Sequence, residues 1–364
     1  MTALPQAEIS WFSALCDDDY QFLGVEDASL KASWPHCRDI AQTADKNGFD
    51  NILLPSGYTL GMDSIAFAGA MAPLLEQMRL LVAVRCGEMW VPQLARQLAT
   101  LDHLLNGRLT INIISSDLPG QTLDGGPRYQ RTRETMQALR QLLNGEAVHM
   151  DGEFIQLDLE PPRMGTVSGK SPPFYFGGLS PPACDVAAAE ADVFLMWPDT
   201  MDKVKAVLDD MKARAKGYNR SLKYGYRAHV IVRETEAQAR DAADLLISRL
   251  DDKISEDIRN RSLDSASVGV RRQAEMRETA NASGHGDYVE DNLWTGVGRA
   301  RSGCGAAIVG DPDQVLAKLN AYRELGIESF ILSGYPHRDE CYLFAKYVLP
   351  NIQHGPLTFD TSEG

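Results

Sequence analysis

The sequence contains no apolar run of about 18 residues, the length a membrane-crossing helix needs. Its first ten residues, MTALPQAEIS, carry neither a basic leader nor an apolar one. Both absences point to a cytoplasmic protein without a membrane partner. Positive charge is also short, with 36 Lys and Arg against 50 Asp and Glu and a formal net charge of −14. Nucleic acid, which needs clustered cations, is therefore not an expected partner. The six cysteines (Cys16, Cys37, Cys86, Cys184, Cys304 and Cys341) are scattered, and no two form a C-x-x-C pair. That spacing leaves neither a structural metal site nor a disulfide framework. No G-x-G-x-x-G opens the first helical segment, which weighs against an open doubly wound sheet.

What is present is alternation. Strand-like runs at residues 8–15, 51–56, 78–85, 108–115, 172–178, 192–197, 224–232 and 328–336 are each followed by an amphipathic helical pattern. Gly48 and Gly107 stop two of these helices, and Asp63 begins another. A small hairpin over AVHMDGEFIQLDLEP interrupts the series. Eight strand and helix pairs predict an α/β fold, a parallel TIM (β/α)8 barrel with insertions, and 364 residues suit a single such domain over 1–352. Residues from about 252 to 305, after the seventh strand, read as a long lid-like insertion of polar sequence containing seven arginines, most of them solvated. Residues 353–364 read as a poorly ordered tail.

Active residues of a barrel lie at the C-terminal ends of its strands. The stretch KYGYRAHVIVRET places Arg227 and His229 two apart, on one face of the seventh strand. An arginine facing inward from a buried strand admits two readings: an internal Asp or Glu pairs with it, or an anionic ligand does. Other strand ends contribute Arg85, Ser115, Trp197 and Tyr335, together with Cys16, Tyr58 and Glu88. FGGLSPP, with Gly178 and Ser180, has the form of a phosphate cradle at a helix N-terminus, although a strand followed by two glycines also describes an ordinary tight turn.

The segments WFSALCDDDYQFLG, NILLPSG, ARQLATLDHLLNGR, FYFGG, YRAHVIVRET with LISRLDD, NLWTGVG and SFILSGYPH together resemble the two-component alkanesulfonate monooxygenases of the bacterial luciferase-like superfamily. The resemblance runs from about residue 8 to 352, and HVIVRET, NLWTGVG and LSGYPH are its most specific parts. It implies a TIM barrel that receives reduced FMN (FMNH2) from an NAD(P)H-dependent flavin reductase. Such an enzyme uses O2 to cleave the carbon–sulfur bond of a small organosulfonate, giving sulfite and an aldehyde. By position it implies catalytic roles for Trp197, Arg227, His229, Arg301 and Tyr335, with Arg227 or Tyr335 managing proton transfer. It implies cofactor contacts near Tyr129, Gly178 and Ser180, and near Arg85 and Ser115. A homo-oligomer, dimer or tetramer, is expected.

The sequence departs from that family where Leu15-Cys16-Asp17 replaces a usual histidine, where Tyr58 to Met62 replaces a usual cysteine, and in CGEMWVP after the third strand. An unchanged anion-binding set in changed surroundings suggests a sulfonate with a different tail. Asp17, Asp18, Asp19, Tyr58 and Glu88 suit hydroxyl groups, which favours a sugar sulfonate such as sulfoquinovose, while a solvated acidic loop explains the three aspartates equally well. The rival readings are a simple alkanesulfonate substrate, a luciferase-like enzyme acting on a non-sulfonate, and a non-catalytic flavin-binding protein.

Overall fold

The computed structural model describes residues 4–58, 61–251, 253, 267–284, 286–301 and 303–359. Its strands are β1 (Glu8–Phe12), β2 (Asn51–Leu54), β3 (Arg79–Arg85), β4 (Leu109–Ile114), β5 (Val148–Asp151), β6 (Gln156–Leu159), β7 (Phe174–Gly177), β8 (Val193–Met196), β9 (Lys223–Val232), β10 (Tyr288–Glu290), β11 (Leu293–Trp294), β12 (Ala307–Gly310) and β13 (Ser329–Ser333). Parallel pairing runs β1, β2, β3, β4, β7, β8, β9, β13, and β13 returns to β1 at Glu8 opposite Ser329. Eight parallel strands thus close into a TIM barrel, as the alternation predicts. β5 and β6 form the expected antiparallel hairpin outside it.

Two-residue periodicity divides every barrel strand between layers. Ile9 and Trp11, Ile52 and Leu54, and Tyr226, Ala228 and Val230 face the helix layer, where they join the main core. Phe12, Leu53, Leu81, Tyr175, Val193 and Ile331 form a smaller apolar cluster in the barrel interior. Helix starts follow the sequence signals. Ser33 caps Trp34–Lys46 by accepting from the His36 amide, and Asp63 caps Ser64–Met71 by accepting from the Ala66 amide. Among the described residues no helix is long and apolar enough to cross a membrane, no side-chain cluster could hold a metal ion, and all six cysteines are free.

The insertion differs from the polar loop expected. It contains a sixteen-residue helix, Val268–Ser283, and the β10–β11 pair, and it buries Met276, Leu293 and Trp294. The apolar residues are too thinly spread along the chain for their periodicity to register. Residues 252 and 254–266, including Arg259 and Arg261, lie outside the described residues. The insertion ends in β12, a four-residue strand too short to stand out in the sequence. β12 pairs in parallel with the last four residues of β9, His229–Val232, on the edge that β8 leaves after Tyr226.

The tail also differs from expectation. His354 bridges to Ala7 and pairs with Asp50, and buried Leu357 joins the interior cluster of Phe12, Leu53 and Tyr175, with Phe359 against it. A solitary leucine and phenylalanine carry no periodicity, yet they close the N-terminal end of the barrel; 360–364 lie outside the described residues. Replacing Leu357 with Ala is expected to lower unfolding free energy by about 2 kcal/mol, as core leucine truncations do. Urea denaturation checks this, and an unchanged midpoint would mean that the tail does not pack.

Candidate active site

Arg227 and His229 project inward from β9, as their spacing predicts, and both are buried. The Arg227 guanidinium donates to the Ala228 carbonyl at 2.6 Å and to Ser333 Oγ at 2.7 Å, with a longer bond to the Ile331 carbonyl at 3.4 Å. It lies 4.3 Å from the centre of the Phe12 ring. Arg227 has no ion-pair partner among the described residues, so of the two readings of a buried arginine the internal carboxylate is not found. Burial lowers its pKa, but a guanidinium stays charged. The result is a buried positive charge without its counter-charge.

His229 Nδ1 and Ser333 Oγ are 2.8 Å apart, and its Nε2 is buried without a hydrogen-bond partner. Burial, reinforced by the Arg227 and Arg301 charges, holds the imidazole pKa well below its usual value, so His229 is neutral. The Tyr335 ring stacks on it at 5.0 Å.

Arg301 reaches the same place from the insertion, because the parallel pairing of β12 with β9 starts at His229 and sets the chain just before β12 alongside Arg227. The Cys304 thiol meets the Arg227 carbonyl at 3.4 Å. Arg301 Nη1 donates to Asp18 Oδ2 and to Tyr335 Oη, both at 2.6 Å. Burial opposes the Arg301 charge, but Tyr335 and Asp18 outweigh it and raise the pKa well above the ordinary value. Burial raises the Tyr335 pKa, so the phenol stays protonated. Its oxygen accepts from Arg301, which leaves its hydrogen available to a ligand. Asp18 neutralises Arg301 and keeps a second oxygen, Oδ1, buried and unpartnered.

The other acidic residues are already committed, which corrects the expectation that all three aspartates could meet substrate hydroxyls. Asp17 accepts from the Ala32 amide. Asp19 is buried between His337 Nδ1 at 2.9 Å and His36 Nε2 at 2.8 Å, and it also accepts from the His337 amide. Burial opposes its ionisation, but the His337 and His36 contacts outweigh this and hold the carboxyl far below its usual range. Glu88 pairs with Arg85 at 3.3 Å, and Tyr58 is largely exposed.

Sequence reasoning missed two residues of this cluster, Ser333 and His337. His337 is fully buried, edge-on to Tyr335, and its Nε2 is unpartnered. Both lie within the LSGYPH segment. For Ser333 the missing information is register: only the pairing of β13 with β9 sets Ser333 opposite His229.

The remaining expected residues ring the same barrel end without all touching. Trp197 follows β8, and its indole packs against the insertion. A Cβ on Gly269 would come within 3.0 Å of the ring, and one on Gly303 within 3.5 Å. Gly178 ends a cradle of backbone: a Cβ there would lie 2.7 Å from the Ala183 side chain and 3.7 Å from Tyr129 Oη, and one on Gly177 would meet the Leu195 carbonyl at 2.4 Å. Only glycines allow that approach. Ser180 caps the following helix, Pro181–Glu190, by accepting from the Ala183 amide at 3.4 Å. Glycine backbone, the Ser180 hydroxyl and a phenol are donors of the kind a phosphate site uses, while the helix adds its dipole rather than its first amides, since Pro181 and Pro182 carry no N–H and the Ala183 amide is bonded to Ser180. Arg85 donates to the Ser56 carbonyl, and the Ser115 and Thr132 hydroxyls are bonded at 2.8 Å.

Comparison with known proteins bears on this geometry. The luciferase-like monooxygenase family model matches residues 20–329. A sulfoquinovose monooxygenase of Novosphingobium aromaticivorans is 60% identical over 357 residues, covering 96% of this chain and 98% of that protein. One of Agrobacterium fabrum is 50% identical over 353 residues, covering 96% and 91%. Among solved structures, riboflavin lyase with modified FMN and riboflavin superposes with a TM-score of 0.77 over 98% of this chain and 94% of that one. At 15% identity, this likeness is one of fold. With a family match over most of its length and two relatives aligned nearly end to end, the chain belongs to the luciferase-like monooxygenase family.

Proposed function

We propose that this protein is a two-component FMNH2-dependent monooxygenase that uses O2 to cleave the carbon–sulfur bond of an organosulfonate, with sulfoquinovose as the favoured substrate. The observation that carries the reading is Arg227, a buried charge with no carboxylate partner beside the unpartnered Nε2 of His229. A sulfonate is a monoanion whose oxygens suit a guanidinium fork. The names of the 60% and 50% identical relatives point the same way.

The cradle fits the phosphate of FMN. Gly177 and Gly178 let the backbone pack closely against Leu195 and Ala183 where the Pro181–Glu190 helix begins, and Tyr129 adds a hydroxyl beside Gly178. Arg85 and Ser115 are assigned to the rest of the cofactor. Bound reduced FMN would supply two electrons and activate dioxygen. The protein's own part is to hold and polarise the substrate. Arg227 and His229 bind sulfonate oxygens, Arg301, its charge met by Asp18, anchors Tyr335 at the mouth of the site, and Trp197 walls it beneath the insertion. Tyr335 donates its hydroxyl proton, its oxygen being held by Arg301. In balance, one oxygen atom ends on the carbon that bore sulfur and the other leaves as water. Sulfite departs with the electrons of the broken bond, leaving an aldehyde.

Reduced flavin would come from a separate NAD(P)H-dependent flavin reductase, in the cytoplasm, where six unpaired cysteines persist. A homo-oligomer, dimer or tetramer, is expected from the family resemblance; exposed apolar residues are present at Leu74 and at the two ends of the Val91–Leu104 helix, Trp90 and Leu104.

With a flavin reductase and NAD(P)H, sulfite release is expected from sulfoquinovose and to a lesser degree from simple alkanesulfonates; no sulfite from any sulfonate would sink the assignment. The unpartnered Asp18 oxygen can accept only from a donor, which a sugar hydroxyl provides and an alkyl chain does not. In Asp18→Asn, kcat/KM is expected to fall about tenfold more for sulfoquinovose than for an alkanesulfonate, on the cost of an imperfect buried polar contact. Equal losses for both substrates would assign Asp18 to Arg301 support alone.

A further inference from the structure

Among the described residues, Ser333 is the side chain hydrogen-bonded to the side chains of both Arg227 and His229, and the mechanism above gives it no role. Its hydroxyl is buried and holds a single hydrogen. Arg227 Nη2, 2.7 Å away, can only donate, so Ser333 Oγ accepts there. The other neighbour of Oγ is His229 Nδ1 at 2.8 Å. Among the described residues the hydroxyl makes no further hydrogen bond. Its hydrogen therefore points at Nδ1, and a neutral imidazole that accepts at Nδ1 carries its proton at Nε2. The opposite arrangement, with Nδ1–H donating to Ser333, would leave the hydroxyl hydrogen without an acceptor in a buried place, which native structures avoid. Nε2 is itself buried and unpartnered. Tyr335, stacked on the ring, keeps the imidazole from turning over.

We infer that Ser333 is a positioning residue: held by Arg227, it fixes His229 as the Nε2–H tautomer, so that His229 meets a bound anion as a neutral hydrogen-bond donor and not as a base. What Nε2–H meets rests on the sulfonate reading; the tautomer does not. One strand register thus couples the charge that attracts an anion to the hydrogen-bond donor beside it, since β13 sets Ser333 opposite His229 and Ile331 opposite Arg227.

NMR of the full-length protein labelled with 13C and 15N in its histidines tests this, because imidazole carbon and nitrogen shifts distinguish the two tautomers. The chain has seven histidines, and the His229 signals are those missing from H229Q. The wild-type protein is expected to show Nε2–H at His229. Ser333→Ala should shift His229 toward Nδ1–H or a mixture, leave the other histidines in place, and weaken sulfonate binding about tenfold. Ser333→Thr, which keeps the hydroxyl, should hold the wild-type tautomer. A wild-type spectrum showing Nδ1–H would overturn the inference, and so would an unmoved tautomer in Ser333→Ala. If Ser333→Ala does not fold, the wild-type spectrum still decides. A merely structural serine would change stability without changing the tautomer. Failure of sulfite release would count against the proposed reaction and leave the tautomer result standing.

Discussion

The arrangement depends on a guanidinium held inside a barrel without a carboxylate to meet it. Desolvating a charge costs several kcal/mol unless it is compensated. Arg227 is compensated only in part, by two carbonyls, a hydroxyl and the Phe12 ring. Its neighbour shows the alternative. Arg301 enters the same site already paired with Asp18 at 2.6 Å. Of two arginines in one pocket, one is neutralised by the protein and one is left for an anion.

The fold produces this asymmetry through strand pairing. β9 is long enough to be shared, with β8 along its first half, β12 along its last four residues and β13 on its other edge. Two of these partners deliver side chains to Arg227 or His229. β13 brings Ser333, and the turn after it brings Tyr335 and His337. β12 brings Cys304 and the Arg301 that precedes it. The segment after β1 brings Asp18 and Asp19, which hold Arg301 and His337 respectively. The phosphate cradle stands apart at the end of β7, where Gly177 lets the backbone approach the Leu195 carbonyl and Gly178 the Ala183 side chain.

Much of this is legible in the sequence, and the rest is not, for physical reasons. Two-residue spacing is enough to put Arg227 and His229 on one inward face, and alternation is enough to predict eight parallel strands. Features that depend on register or on isolated contacts leave no periodic trace. Ser333 gains its place only from the pairing of β13 with β9, β12 is four residues long, and Leu357 and Phe359 are isolated apolar residues in a polar tail. The acidic run at Asp17 to Asp19 looks uniform as sequence, yet its members point to a backbone amide, an arginine and two histidines in turn.

The central claim, that Arg227 is unpaired because it awaits a sulfonate, is tested most directly by calorimetric titration without oxygen of the wild-type protein and Arg227→Met with sulfoquinovose and with glucose. The account predicts that the wild type binds sulfoquinovose and not glucose. Arg227→Met should bind sulfoquinovose at least a hundredfold more weakly, the scale of a buried charge-assisted pair, with no loss of thermal stability because an uncompensated buried charge has been removed. Equal affinity of the two proteins for sulfoquinovose, or a large loss of stability in the variant, would contradict it.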